Sequence, residues 1–188
     1  MLEDYLRKNN ILNNAEIEQF NKLITNRILN KGDYFIRQGD TCKEVAFILK
    51  GTLRSYYISE KGEEITYCIS FPNNFMTAYS SFITSQCTEE NIQAITQVHL
   101  LTIPKSKIDT LVNQSPNWVK FLKFMAEQQY LELEKRIFQL QKNNALQRYV
   151  DLLKNQPALI SSIPLQYLAS YLGVTQRHLS RIRREITF

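Results

Sequence analysis

The run from Ser115 to Lys142, SPNWVKFLKFMAEQQYLELEKRIFQLQK, holds a single proline at its second position and no glycine. Ser before Pro suits an N-cap and first-turn pair, and nothing after it stops a helix. The spacing predicts one helix to about Lys142, roughly 40 Å long at 1.5 Å per residue. Trp118, Leu122 and Met125 fall on one side of it, and Phe121, Phe124, Leu131 and Phe138 on another. A helix apolar on two sides is buried on two sides. One side is expected on the chain's own fold and the other against a second copy, because little other sequence remains to cover it. Trp118, Phe121, Leu122 and Met125 are the expected dimerisation residues.

The texture before this helix is different. Residues 1–30 show helical spacing, for example Ile17, Phe20, Ile24 and Ile28, broken by NNILNNAE, so two short helices are expected. From about Arg27 to Pro104 come Gly32, Gly39, Gly51 and Gly62, which separate the β-rich runs YFIRQ, VAFILKG, LRSYYIS, EITYCISF and IQAITQVHLLTI. Short strands divided by glycine turns indicate an antiparallel sandwich or small barrel. After the long helix, NALQRYVDLLKNQP reads as an amphipathic helix ended by Pro157.

Charge divides the chain along the same lines. Residues 1–114 hold 12 Lys+Arg against 13 Asp+Glu, residues 115–162 hold 7 against 4, and residues 163–188 hold 4 against 1. A neutral front and a basic back suggest that the back meets a polyanion. The start, MLEDYLRKNN, has no apolar signal region, and no stretch is long enough to span a membrane. Cys42, Cys68 and Cys87 are scattered without a CxxC pair, which argues against a disulfide framework, an iron–sulfur cluster or a zinc site. A cytoplasmic protein with reduced thiols and no cofactor or metal is expected.

The last stretch, YLASYLGVTQRHLSRIRREI, carries four arginines in eight residues. SIPLQYLASYL reads as a short helix starting near Ser162–Pro164, with Leu168, Ala169 and Leu172 as its apolar stripe. Gly173 stands where a helix ends in a left-handed turn. Thr175 is the N-cap of a second helix whose buried stripe is Leu179, Ile182 and Ile186. Small Ala169 lets the two helices cross closely. The pattern is a helix-turn-helix. Its second helix turns Gln176, Arg177, Ser180, Arg181 and Arg184 away from the stripe, with His178 beside them. Amide and guanidinium groups on one face can read base edges and phosphates, and Thr175 with the helix N-terminus suits a phosphate. Double-stranded DNA is the expected partner.

Together these segments resemble the superfamily of the cyclic-AMP receptor protein and the fumarate–nitrate regulator (Crp/Fnr). The most specific parts are GDYFIRQGD, the strand pair FILKGTLRSYY, and YLASYLGVTQRHLSRIRRE, which resembles the abbreviated regulators common in Bacteroidetes-type bacteria. The resemblance implies an α+β chain in three parts. Residues 1–114 form a cyclic-nucleotide-binding-like jelly roll, 115–142 the dimerisation helix, and 143–188 a helix-turn-helix domain with a reduced or absent wing. It also implies a homodimer on a palindromic site, working with RNA polymerase. Gln176, Arg177 and Arg181 fall at the family's base-reading positions, although Arg177 stands where a Glu is usual. Thr77 and Ala78 replace the family's Gly-Glu pair, and Thr88 and Glu89 its Arg-Ser pair. Without that arginine, and with Glu89 and Glu90 nearby, a cyclic phosphate would lack its counter-charge. The aromatic set Phe71, Phe75, Tyr79 and Phe82 is expected in the sandwich core, and the effector is unknown.

Two other classes compete. A metal cupin needs clustered His and Glu ligands, whereas the chain has only His99 and His178, in different segments. No nucleophile elbow or phosphate loop occurs either, so an enzyme is not expected. A protein-interaction module that has lost its sensing role remains, and DNA capture separates it from a regulator.

Overall fold

The computed structural model describes residues 1–155, 157 and 162–186. Leu2–Lys8 (α1) and Asn14–Asn21 (α2) are the two short helices expected at the start. α2 opens on a reciprocal cap: Asn13 Oδ1 accepts the Glu16 amide at 3.0 Å, and Glu16 Oε2 accepts the Asn13 amide at 2.7 Å. Helical spacing stops there. Ile28 lies not on a helix but in β1 (Thr25–Leu29), an edge strand, opposite His99 and largely exposed.

The strands that follow are β2 (Tyr34–Ile36), β3 (Glu44–Lys50), β4 (Leu53–Ile58), β5 (Glu64–Ser70), β6 (Phe75–Met76), β7 (Asn91–Ala94) and β8 (Val98–Pro104). They pair antiparallel in two sheets, ordered β1-β8-β3-β6 and β2-β7-β4-β5. This alternation of the chain between two facing sheets is a jelly roll, and with the helices it makes an α+β chain. IQAITQVHLLTI is two strands rather than one, β7 and β8, which belong to different sheets. Gly51 makes the β3–β4 turn at φ +90, where a Cβ would collide with the Gln97 carbonyl oxygen and lie 2.8 Å from Val98 Cα. Only glycine fits there.

Two further short helices, α3 (Tyr79–Thr84) and α4 (Lys105–Gln114), lead to α5 (Pro116–Lys142), which has the bounds its sequence indicates. Ser115 Oγ caps it by accepting the Asn117 amide at 3.2 Å. Then come α6 (Ala145–Asn155), α7 (Leu165–Tyr171) and α8 (Gln176–Ile186). None of the described helices is long and apolar enough to cross a membrane.

Buried side chains form three groups. Leu29, Phe35, Ala46, Ile48, Leu53, Ile92 and Leu100 fill the space between the sheets. Phe47, on the other face of β3, packs with Leu6, Ile17, Phe20, Leu111, Trp118 and Phe121 from the helices that cover the first sheet. Trp118 and Phe121, expected at a dimer seam, are 2% and 4% exposed, and Trp118 stacks on Phe20 at 5.4 Å, so both serve this chain's own core. Met125 is half-buried and accepts a hydrogen bond from the Tyr5 hydroxyl at 3.4 Å, whereas Leu122 is exposed. Besides Leu122, α5 leaves Val119 in the open near its start and Tyr130, Leu131, Leu133, Ile137, Phe138 and Leu140 further along. The third group joins both ends of the molecule, with Ile69, Phe71 and Ile95 of the sheet domain packing among Tyr149, Ile163, Leu168, Leu172, Leu179 and Ile182.

Candidate nucleic-acid interface

Two helices and a tight turn build this region. Leu168, Ala169, Leu172, Leu179 and Ile182 are all buried. Ile186, expected in the same stripe, is 37% exposed. It lies in the last turn of α8, beyond the reach of α7. Just past the end of α7, Gly173 has φ +67, and the Val174 amide donates to the Ala169 carbonyl at 3.0 Å. A left-handed residue at this point lets the chain reverse without steric cost. Thr175 then caps α8, its Oγ1 accepting the His178 amide at 3.2 Å.

The terminal carbonyls of α7 receive two guanidinium groups from outside the motif. Arg148 Nε of α6 donates to the Leu172 carbonyl at 3.0 Å, and Arg136 of α5 donates to the Tyr171 carbonyl with its charge 4.0 Å above the Tyr171 ring. Positive charge suits a helix C-terminus. Burial lowers the Arg136 pKa and raises that of Tyr171, so this contact sits in a poorly hydrated seam.

The outward face of α8 is open. Arg177, Arg181 and Arg184 recur at helical spacing of four and three, and all are exposed, as are Thr175, Gln176 and His178. Ser180 is half-buried between them. His178 and Arg181 also border a groove against Asn144, Ala145 and Leu146 at the start of α6. Arg183 points differently: it is half-buried, 5.8 Å from the Tyr149 ring. Of the α8 residues expected to face outward, Gln176, Arg177, His178, Arg181 and Arg184 are thus exposed and Ser180 is half-buried, while Arg183 lies apart against Tyr149.

At the positions of the family's phosphate cassette, polar groups bond to each other. Thr77 Oγ1 donates to the Glu44 carbonyl at 2.9 Å, and Ala78 beside it is fully buried. The Thr88 amide donates to the Asp40 carbonyl at 2.8 Å, and the Thr88 carbonyl accepts the Gly39 amide at 2.9 Å. Ser81 Oγ accepts the Cys42 amide at 2.9 Å and donates to the Gln86 carbonyl at 2.5 Å. Glu89 is exposed, so of the two neighbouring acids only Glu90 turns onto the sheet. There it accepts the Tyr67 hydroxyl, and burial raises its pKa above the usual carboxylate range. The four aromatics do not share one place. Phe71 belongs to the third core, Phe75 packs edge-on against Phe47 at 5.0 Å, Phe82 lies under Lys105, and Tyr79 is exposed.

Sequence reasoning missed Arg54. It is 2% exposed in β4, pairs with Glu64 at 2.6 Å, and lies between the rings of Tyr56 and Tyr167, 4.0 and 3.7 Å from their centroids. A charged residue in a strand that alternates poorly gives no local sign of burial.

Residues 26–115 match the model of the cyclic nucleotide-binding domain. Over 176 residues the chain is 24% identical to the transcriptional activator protein Anr of Pseudomonas protegens, covering 93% of this chain and 68% of that protein. Over 183 residues it is 24% identical to the fumarate and nitrate reduction regulatory protein of Vibrio cholerae, covering 91% and 72%. Among solved structures, FixK2 of Bradyrhizobium japonicum aligns with a TM-score of 0.78 and 15% identity over 87% of this chain and 84% of that one. A Crp/Fnr-family regulator from Eubacterium rectale aligns with 0.75 and 19% over 98% and 88%. Residues 26–115 thus have the cyclic nucleotide-binding domain, and along most of its length the chain is similar to proteins named as a transcriptional activator and a regulatory protein.

Proposed function

We propose that the protein is a homodimeric, sequence-specific DNA-binding transcriptional regulator of Crp/Fnr type. Residues 1–114 are its sensor, 115–142 its dimerisation helix and 143–188 its DNA-binding domain. The observation that carries this reading is the exposed row of Arg177, Arg181 and Arg184 on a helix that starts at a capped Thr175 after a left-handed Gly173 turn. Such a helix presents its first turn to base edges and its later turns to phosphates. The partners are a palindromic duplex, a second copy of the chain and RNA polymerase, and the protein is not an enzyme.

Dimerisation is supported by the second half of α5. Ala126, Tyr130, Leu133, Ile137 and Leu140 repeat at alternating intervals of four and three, the spacing of a two-stranded coiled-coil seam, and the four large ones are exposed in the single chain. The sensor has lost the family's cyclic-nucleotide cassette. Ala78 and Thr88 offer neither carboxylate nor guanidinium, and the loop amides at Cys42 and Thr88 already have acceptors. A cyclic phosphate there would be desolvated without compensation.

Binding of the purified protein to random-sequence duplex, followed by fluorescence anisotropy across a salt series, tests the reading. Binding that weakens steeply as salt rises, and that Arg181→Ala together with Arg184→Ala greatly reduces, is expected. No binding at low salt contradicts it and leaves an interaction module.

A further inference from the structure

A transcription factor that reads two half-sites must aim two helices at once, and the aim is set where the DNA-reading unit meets the rest of the chain. Here that meeting place is built in detail. On the sensor side, Arg54 of β4 is held at its edge by Glu64 at 2.6 Å and by Gln93 at 2.7 Å. Its faces are covered by Tyr56 from its own strand and Tyr167 from α7. One residue pair beyond, Ser170 of α7 enters the margin of β5. Its Oγ accepts the Thr66 amide at 2.8 Å and donates to the Glu64 carbonyl at 3.2 Å. A side chain of α7 thus takes the place of a neighbouring strand on two backbone groups of β5. Beneath these contacts, Ile69, Phe71 and Ile95 join the buried residues of the DNA-reading unit.

We propose that Arg54, Tyr167 and Ser170 are positioning residues for DNA recognition: they lock α7 onto β5 and so fix the direction in which α8 presents its arginines. This rests on the DNA-binding reading above. In the locked arrangement Gln176, Arg177, Arg181 and Arg184 all remain exposed, so the lock holds the reading face open rather than hiding it. Stacking, and not saturation of every donor, holds the guanidinium, because Arg54 Nη1 has no acceptor among the described residues. Undocking α7 would let water reach that donor. The lock is therefore releasable.

The test uses the full-length protein as wild type, Tyr167→Ala with Ser170→Ala, Arg54→Lys, and the conservative Tyr167→Phe. Two readouts are taken on variants whose thermal unfolding stays cooperative. The first, without DNA, is hydrogen exchange at the Thr66 amide, which donates to Ser170. The second is affinity for a palindromic duplex whose half-site separation is changed by two base pairs, about one fifth of a helical turn. A rigid aim makes the wild type sensitive to spacing, with a loss of roughly tenfold or more, because a preset geometry binds one arrangement well and others badly. In the double alanine variant and in Arg54→Lys, which keeps charge but not a flat stacking surface, Thr66 should exchange at least about tenfold faster and the spacing loss should shrink below about threefold. Tyr167→Phe should behave as wild type in both readouts. If the double variant does not fold, Ser170→Ala alone is read, since it removes one half-buried hydroxyl.

Folded variants with an unchanged spacing loss, or with Thr66 as protected as in wild type, overturn the proposal. A wild type that binds no duplex overturns the DNA-binding reading and with it the positioning role, while exchange at Thr66 still decides whether the lock exists.

Discussion

Arg177 and Arg184 are both exposed on α8, seven residues apart, and in the proposed function they have different work. Arg177 is in the first turn, the part of a recognition helix that enters deepest, where a guanidinium can pair with guanine O6 and N7. Arg177→Ala is expected to relax preference at one position per half-site by about 1–3 kcal/mol. Arg184 lies two turns on, where the helix passes the backbone. Arg184→Ala should weaken all sequences alike and reduce the salt slope by about one unit for each phosphate it no longer neutralises. Titration of both variants against a selected site and its single-base changes separates the roles, and equal weakening by Arg177→Ala on every duplex would make it a phosphate ligand. Ala78 is fully buried and Thr88 is 6% exposed, and neither side chain carries the charge that a cyclic phosphate would need. Calorimetry with cyclic AMP and cyclic GMP should show no binding at micromolar ligand, and micromolar affinity would show that the cassette still works. The α8 residues are legible in sequence because caps, turn glycines and helical periodicity are local signals, whereas Thr77, Ala78, Thr88 and Glu89 are marked only by the family resemblance. Arg54 is not, because its burial depends on Tyr167, 113 positions away, which no local pattern reports.

At the level of elements, α5 does two jobs in succession. Its first turns are core: Trp118→Ala should lower the stability of the fold by about 3–5 kcal/mol, measured by denaturant unfolding. The exposed stripe further on is the proposed interface, so Leu133→Glu with Ile137→Glu should yield folded monomers by sedimentation, with weaker DNA binding. Monomeric wild type at micromolar concentration would rule this out. The Ser115–Pro116 cap makes the bounds of α5 plain in sequence, yet which of its apolar faces the chain itself covers depends on α1, α2 and α4, whose packing no periodicity displays. Glu16 ties these parts together. Burial opposes its charge, but hydrogen bonds from the Ser115 hydroxyl, the Asn13 amide and Asn117 outweigh it and hold its pKa below the usual value. A carboxylate depressed in the folded state stabilises above its unfolded pKa, and that stability is lost as pH falls through the folded pKa. Glu16→Gln should therefore destabilise at neutral pH, with the difference from wild type shrinking below about pH 4. A difference that persists unchanged to low pH would show that the charge is not what matters.

For the molecule as a whole, buried side chains from residues 1–114 and from residues 143–188 share one cluster. The jelly roll, the long helix and the final helix pair are each readable from their own segments, because each has its own period and its own stop signals. That Ile69, Phe71 and Ile95 lie in the same core as Leu168 and Leu179 is not readable, since a strand end and a distant helix share no sequence pattern. If this combined body is a dimeric reader of DNA sequence, the duplexes that the purified full-length protein retains from a random pool will say so when sequenced. The expected result is an enriched palindrome whose half-sites lie about 10 base pairs apart, centre to centre, with at least one guanine preference per half that Arg177→Ala abolishes. A retained pool without sequence preference or symmetry would refute the dimeric reader.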